Sequence, residues 1–538
     1  MGMRSKILRL LSLSLLLSLG LSLPSDAQLP PWQAIEFFDL TGGLNDTRDP
    51  TSITPNEASD LQNIVLSTSG GIEKRPGFDN LTTSSCSAST AVATGVTFYR
   101  QSDGDRFLVG VLSDDGSDRI FSMDYGGSGP DGTCDNITPS GGVAVTDNDV
   151  PDFAVAEDVI YIEDGVATTA PVRWNGSGVA TAISGAPNAT MVEFHKRILW
   201  FAGRSDARSR VDFSNLDEPE TYTSTDFILV ETDDGQLITG LRSALDCLYV
   251  FKQESIWRIC GSDRDNLTLE QMVRGIGAAG NQSIALINNQ FLFLTNQGDI
   301  AVYDGGITVQ VISSKIEGTL TGLNLSRLDE ARAVAFDDGT GDEDYYLSVS
   351  NSGSGTHNLL LVYDTFFKAW TKFSGINANA MAIYEVSSQQ KAIVFGDYAA
   401  DLHRYPTGDN DNGAAINAYY QSGHLRLDVP QQKIFQEFQV ILRQQSSTYN
   451  LVFEYRIDFE GAGTSSNLSL AGTGALWDTA IWDVDSYADI TTAIRPVFIQ
   501  RPGDFILWRV SNANADQPFL VRGIRLWVEP TSRVGGET

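Results

Sequence analysis

Residues 247–260 read CLYVFKQESIWRIC. Two runs rich in β-branched and aromatic residues, Asp246–Lys252 and Ser255–Gly261, flank a polar Gln253-Glu254 turn. That is the pattern of a β-hairpin. In its register position 252 faces 255 and position 247 faces 260. A cross-strand Cys247–Cys260 disulfide fits this register if the protein is exported. Two small buried thiols fit it equally well.

The same unit recurs along the chain. Short apolar strands begin at Phe107 (FLVGV), Val159 (VIYI), Ile198 (ILWF), Leu248 (LYVF), Phe291 (FLFL), Tyr345 (YYLSV) and Ala392 (AIVF), spaced by 52, 39, 50, 43, 54 and 47 residues. Each runs into a polar or Gly-rich turn and then a second strand bearing an aromatic: Phe121, Trp174, Phe213, Trp257, Tyr303, Tyr363 and Tyr405. A period of about 40–50 residues is that of propeller blades. One blade cannot bury both its faces, and stacking blades around an axis covers them. The expected fold is therefore all-β, an irregular β-propeller of about seven blades over residues 81–413. Ordinary β-sandwich hairpins are the competing reading.

The flanks read differently. Thr54-Pro55-Asn56-Glu57 has the form of a capping box with Pro at the first helical position and predicts a short helix through Leu61. Asn63–Thr68 and Ile72–Arg75, joined by Ser69-Gly70-Gly71, predict a hairpin in the N-terminal segment 28–80. Its strand is a candidate to complete the last blade and close the ring. The turn cluster Asp409-Asn410-Asp411-Asn412-Gly413 marks a boundary. Beyond it Ile434–Arg443, Leu451–Phe459, Ile494–Gln500, Phe505–Ser511 and Leu520–Glu529 predict an antiparallel β-sandwich-like module over 414–538.

Charge narrows the function. The 538 residues hold 37 Lys and Arg against 68 Asp and Glu, a net charge of −31. Such a chain is not a tight binder of phosphate backbones. Residues 1–27 resemble a secretory signal: Arg4, Lys6 and Arg9, then the uncharged run Leu10–Leu23, then small residues up to Ala27. At 14 residues that run is short for a membrane span of about 20. No membrane span is expected elsewhere.

Motifs for chemistry are sparse. Gly275-Ile276-Gly277-Ala278-Ala279-Gly280 spells GxGxxG, but a half-polar LTLEQMVR precedes it and the strand at Phe291 follows too soon for a crossover helix. A glycine-rich turn between blades is expected instead of a nucleotide site. His195, His357, His403 and His424 are scattered among different units and are read as surface or half-buried. Asp338, Thr340, Asp342 and Asp344 alternate in a Gly-rich loop that is either a calcium loop lacking its bidentate Glu or a solvated turn. Residues 101–165 carry 15 acids against Arg106 and Arg119. This run is either a solvated face or the lining of a channel. No catalytic, cofactor-binding or metal-ligating residue is assigned.

Several stretches together resemble the nozzle or hub propellers of short-tailed bacteriophages, including the packaged-DNA stabilisation type. They are Gly42-Gly43-Leu44-Asn45, Pro55–Leu61, Leu61-Gln62-Asn63, Lys74-Arg75-Pro76-Gly77, VFKQESIWRICG (250–261), Gly275–Gly306, SSKIEG (313–318), LLLVYDTFFKAWTKF (359–373) and ALWDTAIWD (475–483). The resemblance implies a non-enzymatic virion protein in a homo-oligomeric ring of about six copies, between the portal adaptor and tail fibre or needle proteins. It would retain the genome and pass it through an acidic lumen with no favourable contact for DNA. The Met1–Ala27 leader departs from that family. With the four cysteines it favours an alternative: a secreted or periplasmic bacterial β-propeller that binds glycans or proteins. A secreted hydrolase is the third reading, because a fold does not dictate chemistry.

Overall fold

The computed structural model describes residues 32–83, 86, 91–114, 118–126, 129–261, 263–337, 341–387, 390–427, 432–445, 449–471 and 492–530. The leader and the ALWDTAIWD stretch lie outside them. The chain is an all-β propeller with a sandwich built against it. Every apolar strand of the repeat and every aromatic partner strand lie side by side, as the second and third strands of seven antiparallel sheets.

Blade 1 comprises Val92–Arg100, Arg106–Ser113, Arg119–Gly126 and Asp135–Asn136; blade 2 Asp152–Ala156, Val159–Glu163, Val172–Trp174 and Thr181–Ala182. Blade 3 runs through Met191–His195, Ile198–Ala202, Arg210–Phe213 and Phe227–Leu229. Blade 4 runs through Ile238–Ala244, Cys247–Lys252, Ser255–Cys260 and Thr268–Arg274. Blade 5 holds Ala285–Ile287, Gln290–Leu294, Ile300–Tyr303 and Val309–Val311; blade 6 Arg332–Phe336, Asp344–Val349, Leu359–Asp364 and Ala369–Phe373. The second strands are buried beyond their first one or two residues, because blades cover both their faces. In blades 2 to 5 the first strand passes to the second through a tight turn. Glu157-Asp158, Lys196-Arg197, Leu245-Asp246 and Asn288-Asn289 each hold both residues at positive φ. That geometry matches the twist of a two-residue hairpin.

Blade 7 takes three strands, Ala380–Ser387, Gln390–Gly396 and Leu402–Tyr405, from one end of the propeller sequence and its fourth, Asp79–Asn80, from the other. Asn80 pairs with His403 and Asp79 with Arg404. The N-terminal segment thus closes the ring, but not through the expected hairpin. Ile64–Leu66 and Ile72–Lys74 do form that hairpin, and they join the sandwich.

The sandwich draws on both flanks of the propeller. Its first sheet runs Ile64–Leu66, Ile72–Lys74, Leu520–Pro530, Lys433–Arg443, Thr492–Gly503, with Gln33–Phe37 also paired to Leu520–Pro530. The second runs Ala58–Gln62, Ala418–Ser422, Ile506–Asn512, Asn450–Ile457, Thr464–Ser469. Residues 33–74 are therefore part of this module and not a separate unit before the propeller. The expected helix at Thr54–Leu61 is absent. The capping chemistry closes a turn instead: Glu57 Oε2 accepts from Thr54 N at 3.0 Å, and Glu57 N donates to Thr54 O at 3.0 Å. Residues 58–62 then pair with Ala418–Ser422, burying Ala58 and Leu61. Sheet pairing outweighs one turn of helix, which has a single bond to set against its nucleation cost.

The two sheets meet over Phe435, Phe438, Val440, Phe453, Tyr455 and Trp508, in a core continuous with Leu292, Leu347 and Trp370 of blades 5 and 6. Trp508 is 0% exposed and stacks on Tyr420 at 5.3 Å between centroids. Trp508→Ala should lower the unfolding free energy by about 3–5 kcal/mol, read by urea denaturation. A loss below about 1 kcal/mol would mean that the sheets do not share this core.

Candidate functional site

Stretches distant in sequence that carry the family resemblance meet at one place, the joint between propeller and sandwich. Leu44 N donates to Trp370 O at 2.8 Å, Asn45 N to Ala58 O at 2.9 Å and Asp46 N to Lys315 O at 3.0 Å. Buried Asn45 donates its side-chain amide to Glu57 Oε2 at 3.0 Å, and Lys315 Nζ lies 2.9 Å from Glu57 Oε1. Burial alone would raise Glu57, but the bonds from Lys315, Thr54 and Asn45 outweigh it and hold the carboxyl below its usual range.

Arg75 is the centre of the joint. Its guanidinium is wholly buried and forks onto Asp411, with Nη1–Oδ1 2.8 Å and Nη2–Oδ2 2.6 Å. Nε donates to Asn63 Oδ1 at 2.9 Å and Nη2 also to Ser374 O at 2.8 Å. Gly77 runs so close to the boundary cluster that a Cβ there would sit 1.7 Å from Asn410 O. Lys74 donates to Asn512 Oδ1 at 3.0 Å and Asn514 O at 2.7 Å; burial pulls its amine down to about 8.

A second polar network links the starts of the first strands of several blades. Asp152 of blade 2 accepts from Val192 N (2.9 Å), Asn281 Nδ2 (2.8 Å) and Gln282 Nε2 (2.9 Å), so the blade 2 strand is tied across to the linker before blade 5. Arg242 donates to Asn281 Oδ1 and O at 2.9 and 2.6 Å. Opposite, buried Arg332 donates to Asn379 O at 2.7 Å, to Thr94 O at 3.3 Å and to Glu330 O. Burial lowers this guanidinium to about 10, still charged at neutral pH. These groups tie together first strands of blades that share no ladder.

Several sequence expectations change here. Asp114, Asp152, Glu163 and Asp164, four of the acids in 101–165, are buried and cannot line an open channel. Asp103, Asp105, Asp124, Asp131, Asp135, Asp147 and Glu157 are exposed. On blade 1, partial burial and then Asp135, Asp131 and Asp105 raise Asp124. His195, His357 and His403 are buried rather than surface residues. His195 Nδ1 lies 2.7 Å from Ser243 Oγ, and burial lowers this imidazole to about 4. His357 falls to about 3 for the same reason, and His403 Nε2 lies 3.0 Å from Asp397 Oδ2. The four histidines occupy blade 3, blade 6, blade 7 and the sandwich, and form no common site.

The GxGxxG run is a turn between blades 4 and 5, as expected. Gly275 has φ +86°, and a Cβ on Gly277 would lie 1.9 Å from Lys252 O. Of the calcium candidates, Asp338 and Thr340 lie outside the described residues; Asp344 Oδ1 accepts from Thr365 N at 3.0 Å. Among the described residues no group of three or more His, Cys, Asp or Glu is placed to hold a metal ion. Clefts open where blades meet. One of about 730 Å³ between blades 2 and 3 is lined by Arg204, Arg210, Asp212, Tyr222 and Asp226, its arginines occupied by Asp206 and Asp212. Cys86 and Cys134 form a disulfide, as do Cys247 and Cys260.

No protein-family model matches the chain, and no curated protein does. Solved structures similar to it are propellers. The WD40 domain of Pan2 from Neurospora crassa is 9% identical, with a TM-score of 0.38 over 64% of this chain and 98% of that one. YCF48 bound to D1 peptide is 12% identical, with a TM-score of 0.36 over 62% and 98%. An exo-β-1,3-galactanase from Phanerochaete chrysosporium is 9% identical, with a TM-score of 0.27 over 81% and 96%. At these identities the likeness concerns the fold alone.

The axis supplies a pH test. Glu163 is 0% exposed, faces Asp152 in the ladder and has no hydrogen-bond partner on either oxygen. Burial, then Asp164 and Asp152, raises its carboxyl well above 4.5, and burial raises Glu193 to about 7. Both bind protons more tightly when folded, so their contribution is complete below about pH 4.5 and is lost as pH rises through the folded values. Glu163→Gln should stabilise the protein at pH 8 and flatten the decline in melting temperature between pH 5 and 8. An unchanged profile would mean that Glu163 is not protonated in the fold.

Arg75 supplies a second test. Arg75→Met leaves Asp411 without its counter-ion and should cost about 3–5 kcal/mol, read by urea denaturation. The Arg75→Met/Asp411→Leu pair should recover most of that. Equal losses in the single and double variants would show that the pair is not coupled.

Proposed function

We propose that this chain is a structural, non-enzymatic component of a short-tailed bacteriophage tail, a nozzle or hub subunit around the DNA exit channel. The observation that carries the reading is the convergence of Gly42–Asn45, Lys74–Gly77, Lys315–Gly318 and Ala369–Phe373 on one joint. These stretches carry the family resemblance, and the propeller–sandwich unit needs them. Two modules sharing one core suit repetition in a closed ring, about six copies by the resemblance, with a portal adaptor and fibre or needle proteins as neighbours. In this reading the DNA passage runs between subunits. The exposed acids of blade 1 are candidates to face it, and they would let DNA slide without adhering.

A second reading is a secreted or periplasmic bacterial propeller that binds glycans or proteins. The two disulfides favour it, since such bonds persist in oxidising compartments.

Peptide mass spectrometry on density-purified particles and on cleared medium separates the two. The tail reading expects the protein in particles in proportion to the portal protein. Recovery only as free protein beginning at Gln28 would overturn it and establish the secreted form. Within the tail reading, Asp124→Asn/Asp131→Asn/Asp135→Asn should change genome retention or release while leaving the melting temperature within a few degrees.

A further inference from the structure

We infer that the propeller ring is locked by oxidation, through Cys86–Cys134 at the seam between blades 7 and 1. The strand that closes the ring, Asp79–Asn80, is only two residues long. Two residues of ladder are a weak clasp, because such short edges open locally at low cost. The chain then bridges the two blades. Leu81 N donates to Leu402 O of blade 7 at 2.7 Å, and Thr83 N to Gly132 O, beside blade 1, at 3.0 Å. Cys86 N returns to Ala400 O at 3.4 Å, and Arg119 of blade 1 donates to Cys86 O at 3.4 Å. Cys86 joins Cys134, which lies just before the outermost strand of blade 1, across a Cα–Cα distance of 5.1 Å. Both sulfurs belong to the apolar cluster that holds the seam, among Leu108, Phe121, Val394 and Leu402.

The other disulfide serves as an internal control. Cys247–Cys260 joins neighbouring strands within blade 4, whose ladder already holds them in register. It crosses no seam. Cys86–Cys134 fixes the closing segment to the blade that begins the ring, so its loss frees the clasp. The bond forms when the Cys86 and Cys134 thiols give up two electrons and two protons. A dithiol–disulfide oxidoreductase is the partner class that accepts them, its own disulfide leaving as two thiols. The lock is therefore set where such an oxidant acts and is left open in a reducing cytoplasm. This holds under either reading of function.

Hydrogen exchange on the full-length protein tests the lock, comparing wild type with Cys86→Ala/Cys134→Ala and with Cys247→Ala/Cys260→Ala. The first pair should speed exchange at Leu81, Thr83 and the 402–405 strand at least tenfold and leave blade 4 unchanged. The second pair should leave the seam unchanged. Should the first pair fail to fold, oxidised wild type treated with a phosphine reductant and alkylated reports on the same amides. Equal seam protection before and after reduction would overturn the inference. So would free thiols at 86 and 134 in protein purified without reductant.

Discussion

The chain crosses between its two modules at Lys74–Phe78 and at Asp409–Ala414, and the Arg75–Asp411 pair clamps the crossings together. Around it Gly77 N donates to Gly408 O, Phe78 N to Asn410 O, Thr407 N to Gly77 O and Asn412 N to Phe78 O. This clamp matters because both ends of the propeller sequence join the sandwich here. The last blade is closed by residues 79–80, which follow directly on a sandwich strand. The sandwich combines residues 33–74 with residues 418–530, from opposite flanks of the propeller. Its two parts therefore come together only where the propeller ring closes.

Burying a guanidinium costs several kcal/mol unless its donors are met. Here Asp411, Asn63, Pro76 O and Ser374 O meet them, in a geometry with no room for side chains at Gly77. A hydrophobic pair would fill the volume equally well. It would not select one register for two crossings from opposite ends of the sequence. The fork gives direction as well as attraction. The axis follows the same logic: Arg332 is held by carbonyls of blade 7 and blade 1, and Asp152 by amides of blade 3 and the linker to blade 5. Polar groups buried in this way tie strands together that share no ladder.

The blades were legible in the sequence because their second strands are covered on both faces. FLVGV, ILWF and FLFL are continuous apolar runs for that reason. The first strands were not. MVEFH and ITGLRSA mix polar and apolar residues, since one side of each meets the polar axis. The closing strand was unreadable because two residues, Asp79-Asn80, carry no periodicity. The helix at Thr54 was misread because a capping box records only local bonding, while Ala58 and Leu61 answer to a partner strand more than 350 residues away. The Cys247–Cys260 register was visible within one hairpin. Cys86 and Cys134 stand 48 residues apart with strands of blade 1 between them, so no single hairpin register joins them.

Burial changes what the acidic composition can do. A negative charge influences a strand of DNA only from a surface that the strand reaches. Asp152 and Glu163 are buried opposite each other in the blade 2 ladder and act as structure. The charge left to act outside lies on loops and outer strands such as Asp124, Asp131 and Asp135. Under the proposed tail reading, the passage is formed by the outer edges of several copies. Such edges have a fixed orientation only if propeller and sandwich move as one body. The Arg75–Asp411 clamp holds the two modules in that relation, and the Cys86–Cys134 bridge keeps blade 1, with its acids, seated in the ring.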